Sequence, residues 1–192
     1  MRHLRCKLAR IKVFSCEHCN RQYSVERQFD PVLRVAGFDI DSNISGRRAA
    51  HLIRAGTDTI NFNIPGSGPY SIFPSYEFDF ISDPVVIDGT TQPGFVEAPI
   101  IELDGSGAGP DAHGIFIFAG SSTVRGLVIN RFACTGIEIE VNGGKLIQGN
   151  YIGTDITGTL AFGNADDGVL LQTSNNIIGG TTVAARNIIS GN

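Results

Sequence analysis

The sequence lacks several features that would place it in a common protein class. It has no tryptophan and one methionine among 192 residues, and it contains no apolar run of the ~18 residues that a transmembrane helix requires. Only 18% of the residues are charged while 42% are apolar, so the chain is able to bury a core. Glycine is abundant, with 24 residues. Glycine turns between isoleucine-rich segments predict many short β-strands rather than a helical bundle.

Basic residues are scarce after residue 54. Residues 1–54 hold 11 Lys and Arg and 5 acidic residues (11 − 5 = +6), whereas residues 55–192 hold 4 and 14 (4 − 14 = −10). We therefore divide the chain into a basic leader over residues 1–45 and a β-domain over residues 46–192. The leader is expected to be poorly ordered or to result from a wrongly assigned start of the coding frame. The acidic part would repel nucleic acid and anionic membranes, so neither is expected as a partner.

The leader contains three of the four cysteines. Cys16 and Cys19 form a CxxC pair around His18, and two thiolates at this spacing can bind one tetrahedral zinc ion. A structural zinc site needs four ligands, however, and no second CxxC or HxxxH follows. We therefore predict less than one bound metal per chain, and assign no role to Cys6. No signal peptide is visible, because the first 14 residues contain no apolar run of ~7 residues.

Three stretches in the second part of the chain align with one another. They start at Gly114, Gly136 and Gly168, and each contains three strands of 3–5 residues. The first two starts are 22 residues apart, and the second interval is longer because of an insert after Gly153. This period predicts an all-β fold, a right-handed parallel β-helix, whose coils stack at ~4.8 Å. Leucine-rich repeats share the period but need an LxxLxL pattern that is missing here.

Alternation along the strands predicts the direction of each side chain. The predicted inward residues are Ile115, Ile117, Ile137, Ile139, Val169 and Leu171. Leu170 and Gln172 are predicted to point outward, as are four residues that we call the aromatic–acidic strip: Phe116, Phe118, Glu138 and Glu140. Asn150 and Asn187 fall at equivalent corners, where their amides can stack as a ladder.

The aromatic–acidic strip has two interpretations. Aromatic faces beside carboxylates suit neutral sugars, whose C–H faces pack on rings and whose hydroxyl groups donate hydrogen bonds to carboxylates. Alternatively, the insert after Gly153, which carries Leu160 and Phe162, folds over the two phenylalanines of the strip. The solubility cost of exposed phenylalanine pairs favours this second interpretation.

Earlier segments complete the predicted solenoid of about six short three-strand coils. Residues 58–64, 84–89 and 100–105 are interpreted as strands of earlier coils, and residues 47–55 as a short helix that caps the first coil. The repeat runs to residue 192 without a capping segment. We therefore expect the chain to be truncated at its C-terminal end, with further coils in a longer parent chain.

Four motifs resemble the opening coils of large bacterial surface or secreted proteins with right-handed parallel β-helix repeats of the pectin-lyase-like fold. They are residues 58–69, 87–95, 149–155 and 186–192. The resemblance covers residues 46–192, although residues 45–50 match the family's Ser-Leu-Arg-Glu-Ala-Ile only faintly. It implies a secreted or cell-surface location and contact with polysaccharide or cell-envelope components. The family includes polysaccharide lyases and glycoside hydrolases as well as proteins without known activity, so the fold alone assigns no reaction.

Three aspartates are the candidate catalytic residues. The resemblance implies clustered aspartates with calcium or arginine, or carboxylate pairs, and Asp166, Asp167 and Asp155 are the nearest match. Adjacent residues on a strand point to opposite faces, however, and Asp-Gly is a common turn pair. We therefore predict a plain turn and no cofactor, with a calcium-stabilised loop as the alternative.

The remaining reactive side chains also favour structural roles. His113 is predicted to be a corner residue, Arg125 and Arg186 to form salt bridges at equivalent corners, and Cys134 to be a small buried residue. No GxSxG, P-loop or HExxH motif is present. The sequence therefore predicts a non-catalytic β-helix module, structural or carbohydrate-contacting. The alternative is a fragment of a polysaccharide lyase or glycoside hydrolase, although a −10 charge disfavours anionic substrates.

Overall fold

A computed structural model describes residues 57–192 and three short strands that precede them. The chain divides into two units, Met1–Arg34 and Val35–Asn192. In the first unit, strands β1 (Phe14–Cys16) and β2 (Arg21–Tyr23) form an antiparallel pair. The side chain of Cys16, the whole of Cys19 and the predicted capping helix over residues 47–55 lie outside the described residues.

The second unit is all-β over the residues that the structure describes. Its strands are β3 (Phe38–Ile40), β4 (Asp58–Phe62), β5 (Tyr70–Ile72), β6 (Val85–Asp88), β7 (Ile101–Asp104), β8 (Ile115–Ile117), β9 (Thr123–Arg125), β10 (Leu127–Asn130), β11 (Ile137–Ile139), β12 (Leu146–Gln148), β13 (Tyr151–Ile152), β14 (Val169–Leu171), β15 (Ile177–Ile178) and β16 (Ile188–Ile189). Three single 3₁₀ turns lie over Gly89–Thr91, Gly105–Gly107 and Val183–Ala185. None of these described helical segments is long and apolar enough to cross a bilayer.

The strands form three parallel sheets that the chain visits in rotation. The first sheet has the order β5-β7-β10-β13-β16, the second β8-β11-β14 and the third β4-β6-β9-β12-β15. From β6 to β13, each strand therefore pairs with the strand three places later in the chain. Strand β3 adds an antiparallel edge next to β4, and Ile81 forms a single parallel bridge to Ile117 beside β8. This arrangement is compatible with a parallel β-helix.

Apolar columns fill the space between the sheets. Ile115 pairs with Ile137, and Ile117 pairs with Ile139, in the register that the sequence predicts. Ile117, Ile137 and Ile139 are fully buried, and burying each such side chain contributes about 2 kcal/mol. Leu171 continues the column but is 43% exposed, since no described strand pairs with the outer edge of β14.

Stacked asparagines satisfy buried backbone groups at one corner, as predicted. Asn150 is fully buried, its Oδ1 accepts from the N–H of Leu127 (3.1 Å), and its Nδ2 donates to the carbonyl of Val124 (2.9 Å). One turn later the same contacts recur. The Oδ1 of Asn187 accepts from the N–H of Asn150 (2.9 Å), and its Nδ2 donates to the carbonyl of Ile147 (2.8 Å). The asparagine side chains thus replace backbone pairing where the chain turns.

A second asparagine ladder lies at another corner and was not predicted. The Oδ1 of Asn164 accepts from the N–H of Phe132 (3.1 Å), and its Nδ2 donates to the carbonyl of Ile129. Asn192 then accepts from the N–H and the Nδ2 of Asn164 (3.2 and 2.8 Å) and donates to the carbonyl of Ile152 (3.2 Å). Residue 164 therefore has a structural role, although it adjoins the candidate aspartates.

Two arginines form ion pairs with aspartates at the ends of strands. The pair of Arg125 confirms its predicted structural role. Its guanidinium lies 2.6 Å from Asp88, which directly opposes it in the register of β6 and β9. Arg131 makes the corresponding ion pair with Asp104 on the first sheet. Both aspartates also accept a main-chain N–H of the 3₁₀ turn that follows them. These corners are thus held by charge and by local hydrogen bonds.

Arg186 lies one register position from the corner of Arg125, close to the nearly equivalent position predicted, but the described residues form no ion pair with it, so the predicted salt bridge of Arg186 is wrong. The register of β9 and β12 places Gln148 opposite Arg125, and the Nε2 of Gln148 donates to the carbonyl of Gly179 on the following turn (2.9 Å). Arg186 instead ends the 3₁₀ turn over Val183–Ala185.

We expect Asn150→Ala to destabilise the chain by roughly 2–4 kcal/mol, because it leaves a buried N–H and a buried carbonyl without partners. Asn63→Ala is the matched control, since Asn63 is exposed. Urea unfolding of both variants measures the difference. A free energy of unfolding for Asn150→Ala within 0.5 kcal/mol of the control, about the usual effect of a surface substitution, would contradict the ladder.

Candidate functional site

The aromatic–acidic strip lies on the second sheet, on the side opposite to its buried columns. Phe116 pairs directly with Glu138, and the same register sets Phe118 beside Glu140, whose N–H donates to the carbonyl of Ile117 (3.0 Å). Neighbouring strands are ~4.8 Å apart. Two rings on one turn of the chain therefore adjoin two carboxylates on the next, as the sequence predicts.

The two rings of the strip belong to a cluster of three phenylalanines. The ring centres of Phe116 and Phe118 are 4.7 Å apart in an edge-on arrangement, and Phe80 lies 4.8 Å from Phe118. Phe80 is 38% exposed, while the other two rings are half-buried. Ile81 fixes this segment, since its N–H donates to the carbonyl of Phe116 (2.8 Å) and its carbonyl accepts from Phe118 (2.9 Å). The cluster thus keeps aromatic surface accessible.

The insert after Gly153 makes its contacts elsewhere, against our expectation that it covers the strip. It folds back on itself through a bridge between Thr154 and Ala161 and a hydrogen bond from Phe162 to the carbonyl of Gly153 (2.9 Å). The guanidinium of Arg131 lies 3.8 Å from the centre of the Phe162 ring. These contacts tie the insert to the corner after β10, and the contacts that partly cover the strip come instead from residues 80–81.

The carboxylates of the strip share one amide. The Nε2 of Gln172 donates to Glu138 (3.0 Å) and to Glu140 (2.9 Å), which joins two turns of the chain. Glu138 is only 3% exposed, which corrects the prediction that it points freely outward, whereas Glu140 is half-buried. Burial, with the nearby charge of Glu138, raises the pKa of Glu140. The partly accessible carboxyl group of Glu140 therefore lies beside the buried carboxyl group of Glu138.

His113 is the functional side chain that the sequence did not place in the strip. It is 3% exposed, and its Nδ1 lies 2.9 Å from the Oε2 of Glu138. Its ring centre is 5.5 Å from that of Phe116, and its main-chain N–H donates to Glu77 (3.3 Å). A histidine directly before a strand, with a glutamate on the neighbouring strand one turn later, is the signal that could have revealed it.

The surroundings of His113 favour its protonated form. Burial by itself lowers the pKa of His113. The contact with Glu138 and the nearby charges of Glu77 and Asp166 outweigh this effect, so the pKa of His113 lies above its usual value of 6.5. Burial in turn raises the pKa of the Glu77 carboxyl. Carboxylates thus face the imidazole from several turns of the chain.

The three candidate aspartates occupy different environments. Asp155 accepts hydrogen bonds from the N–H groups of Leu160 (2.9 Å) and Thr159 (3.0 Å) and from Thr157, and these bonds, with the Leu160 contribution largest, lower the pKa of Asp155 to about 2. It therefore stabilises the insert loop. Asp166 acts on His113 by its charge, while the main-chain carbonyl of Asp167 accepts from Gly136 (2.9 Å). Within residues 57–192, no three acidic, histidine or cysteine side chains are grouped to hold a metal ion.

Lowering the pH should stabilise the chain through His113. Its pKa is raised in the folded state, so its contribution is fully present below the unfolded pKa of about 6.5 and is lost as the pH rises through the folded value. The melting temperature should therefore fall as the pH is raised from about 6 through the folded pKa of His113. His113→Gln removes the titrating group and should make this pH dependence shallower. Calorimetry across that range measures it, and equal slopes for both proteins would contradict a protonated His113.

Comparison with known proteins adds no family assignment. Neither a protein-family model, nor a curated protein, nor a solved structure matches this chain. Over residues 57–192 the structure itself shows an all-β fold with parallel strands in three sheets and a mixed aromatic and acidic surface.

Proposed function

We propose that residues 46–192 form a right-handed parallel β-helix module of a secreted or cell-surface protein, and that the aromatic–acidic strip contacts carbohydrate without catalysing a reaction. The regular rotation of the chain through three parallel sheets supports the solenoid. A solenoid of this kind presents the same outer position on every turn, which yields an elongated binding surface.

One observation carries the carbohydrate assignment. Three phenylalanine rings and two carboxylates share one face of the second sheet, and part of this surface is accessible. Sugars combine apolar C–H faces with hydroxyl donors, so rings and carboxylate acceptors side by side match both properties. The hydrogen bonds from Gln172 hold the two carboxylates in position, which reduces the entropy that binding must fix.

The structural use of the candidate aspartates supports a non-catalytic module. Asp155 is committed to the backbone of its own loop, and Asn164, two residues before Asp166, forms part of a ladder. Arg125 and Arg131 are each held in an ion pair with an aspartate, so the arginine-dependent proton abstraction of a lyase would first require that pair to break.

The alternative, a glycoside hydrolase or lyase fragment, is favoured by one observation. Burial and the neighbouring Glu138 raise the pKa of Glu140, and a raised pKa is the property that a general acid of a glycoside hydrolase needs. Release of reducing sugars or of unsaturated products from a polysaccharide panel would support this alternative and contradict a purely binding role.

We expect Phe118→Ala to weaken binding of short oligosaccharides about five- to tenfold, because the ring contributes about 1–1.4 kcal/mol of packing to a sugar face. Phe73→Ala is the matched control, since Phe73 is 64% exposed and lies outside the strip. A glycan array identifies binders, and titration calorimetry measures the affinities. Equal losses in the two variants, or no binder on the array, would contradict the proposal.

A further inference from the structure

We propose that the saccharide recognised by the aromatic–acidic strip carries protonated amino groups, so that its ligand class is an amino-sugar oligomer rather than a neutral or acidic glycan. This inference rests on the proposed carbohydrate-contacting function and adds the charge of the ligand. It follows from how the described part of the chain distributes its charges around the strip.

Among residues 57–192, the carboxylates of the strip have few cations to balance them. Four basic side chains follow residue 54, and three of these are engaged elsewhere. Arg125 and Arg131 are paired with aspartates, and Lys145 is 1% exposed with its Nζ donating to the main-chain carbonyls of Glu140 (2.9 Å) and Asn142. The lysine charge is thus used by two carbonyl oxygens and not by the carboxylates.

His113 is the cation that contacts the strip, and it faces more carboxylates than it can balance. Glu138 touches its ring, while the charges of Glu77 and Asp166 also act on it. Glu140 lies beyond Glu138 on the accessible side and receives a hydrogen bond from a neutral amide. The strip therefore keeps a negative charge even when the imidazole is protonated.

The inner carboxyl group of the strip is buried against His113. The Oε2 of Glu138 lies 2.9 Å from the Nδ1 of His113, but the two atoms lack the alignment of a hydrogen bond, and neither has another hydrogen-bond partner. Glu138 is more than nine-tenths buried, and leaving an acceptor unsatisfied at such a depth is costly. Because this atom faces the buried His113 ring, Glu140 rather than Glu138 is the carboxyl group that a ligand reaches.

The spatial order of the strip fits an amino sugar. The carboxyl groups lie one strand spacing, ~4.8 Å, from Phe116 and Phe118, so a substituent of a sugar packed on the rings is within reach of them. An ammonium group there makes charge-assisted hydrogen bonds, which are roughly twice as strong as those of a hydroxyl group. A uronic acid at the same place would be repelled, because it would bring a second negative charge against Glu140.

The experiment uses the whole chain and three probes of equal length: a glucosamine tetramer, its N-acetylated counterpart and a galacturonic acid tetramer. Titration calorimetry measures the affinities at about 0.15 M salt. At this salt concentration the Debye length is ~8 Å, so attraction between distant charges is screened. We expect the glucosamine tetramer to bind at least tenfold more tightly than the acetylated tetramer, and the galacturonic acid tetramer not to bind. Glu140→Gln should remove this preference, so that the glucosamine and acetylated tetramers bind the variant with similar affinity.

Glu97→Gln is the matched control, since Glu97 is an exposed carboxylate outside the strip. An equal loss in Glu97→Gln and Glu140→Gln would show general charge attraction and overturn the inference. Equal affinities for the glucosamine and acetylated tetramers, both lost in Phe118→Ala, would leave the carbohydrate-contacting function intact and overturn only the amino-sugar preference. Binding of none of the three probes would count against both proposals.

Discussion

The parallel pairing of each strand with the strand one turn later is the constraint on which the rest of the structure depends. It places Ile117 against Ile139 on the buried side and, by the same pleat, Phe116 against Glu138 on the other side. A slip of one residue would move Glu138 among the isoleucines and leave Ile139 in solvent. The apolar columns therefore fix the register, and the register builds the aromatic–acidic strip.

Pairing of this kind needs corners at which the chain leaves one sheet and enters the next. Backbone groups at these corners cannot all find partners in the sheets, and the structure supplies side chains instead. Asn150 and Asn164 hold two corners through ladders, while Asp88 and Asp104 hold others through turn hydrogen bonds and arginine pairs. Because these polar groups are satisfied locally, the outer faces of the sheets remain available for other roles.

Much of the fold follows from the sequence because its signals are local and repeat. Alternation around Gly114, Gly136 and Gly168 predicts strands β8 to β16 and the direction of their buried residues. The equivalent positions of Asn150 and Asn187, each directly before a strand of the first sheet, predict their ladder.

The features that escaped prediction depend on contacts across turns of unequal length. The second ladder was obscured because the insert after Gly153 separates Asn164 from the repeat, although Asn192 lies on the following turn. The contact between His113 and Glu138 joins different positions on consecutive turns, so alignment of the repeats does not bring them together. The side on which the insert folds depends on Arg131 and Phe162, whose contact no periodic pattern contains. The exposure of Leu171 results from the pairing partners of β14, which alternation within a strand does not specify.

Nuclear Overhauser spectroscopy on methyl-labelled isoleucines tests the three-sheet pairing most directly. The structure predicts cross-peaks between Ile117 and Ile139 and between Ile129 and Ile152, because each pair is directly opposed on parallel strands three places apart in the chain. Backbone cross-peaks should likewise follow the parallel pattern from β8 to β11. Antiparallel cross-peaks between consecutive strands such as β8 and β9, with none between Ile117 and Ile139, would contradict the account.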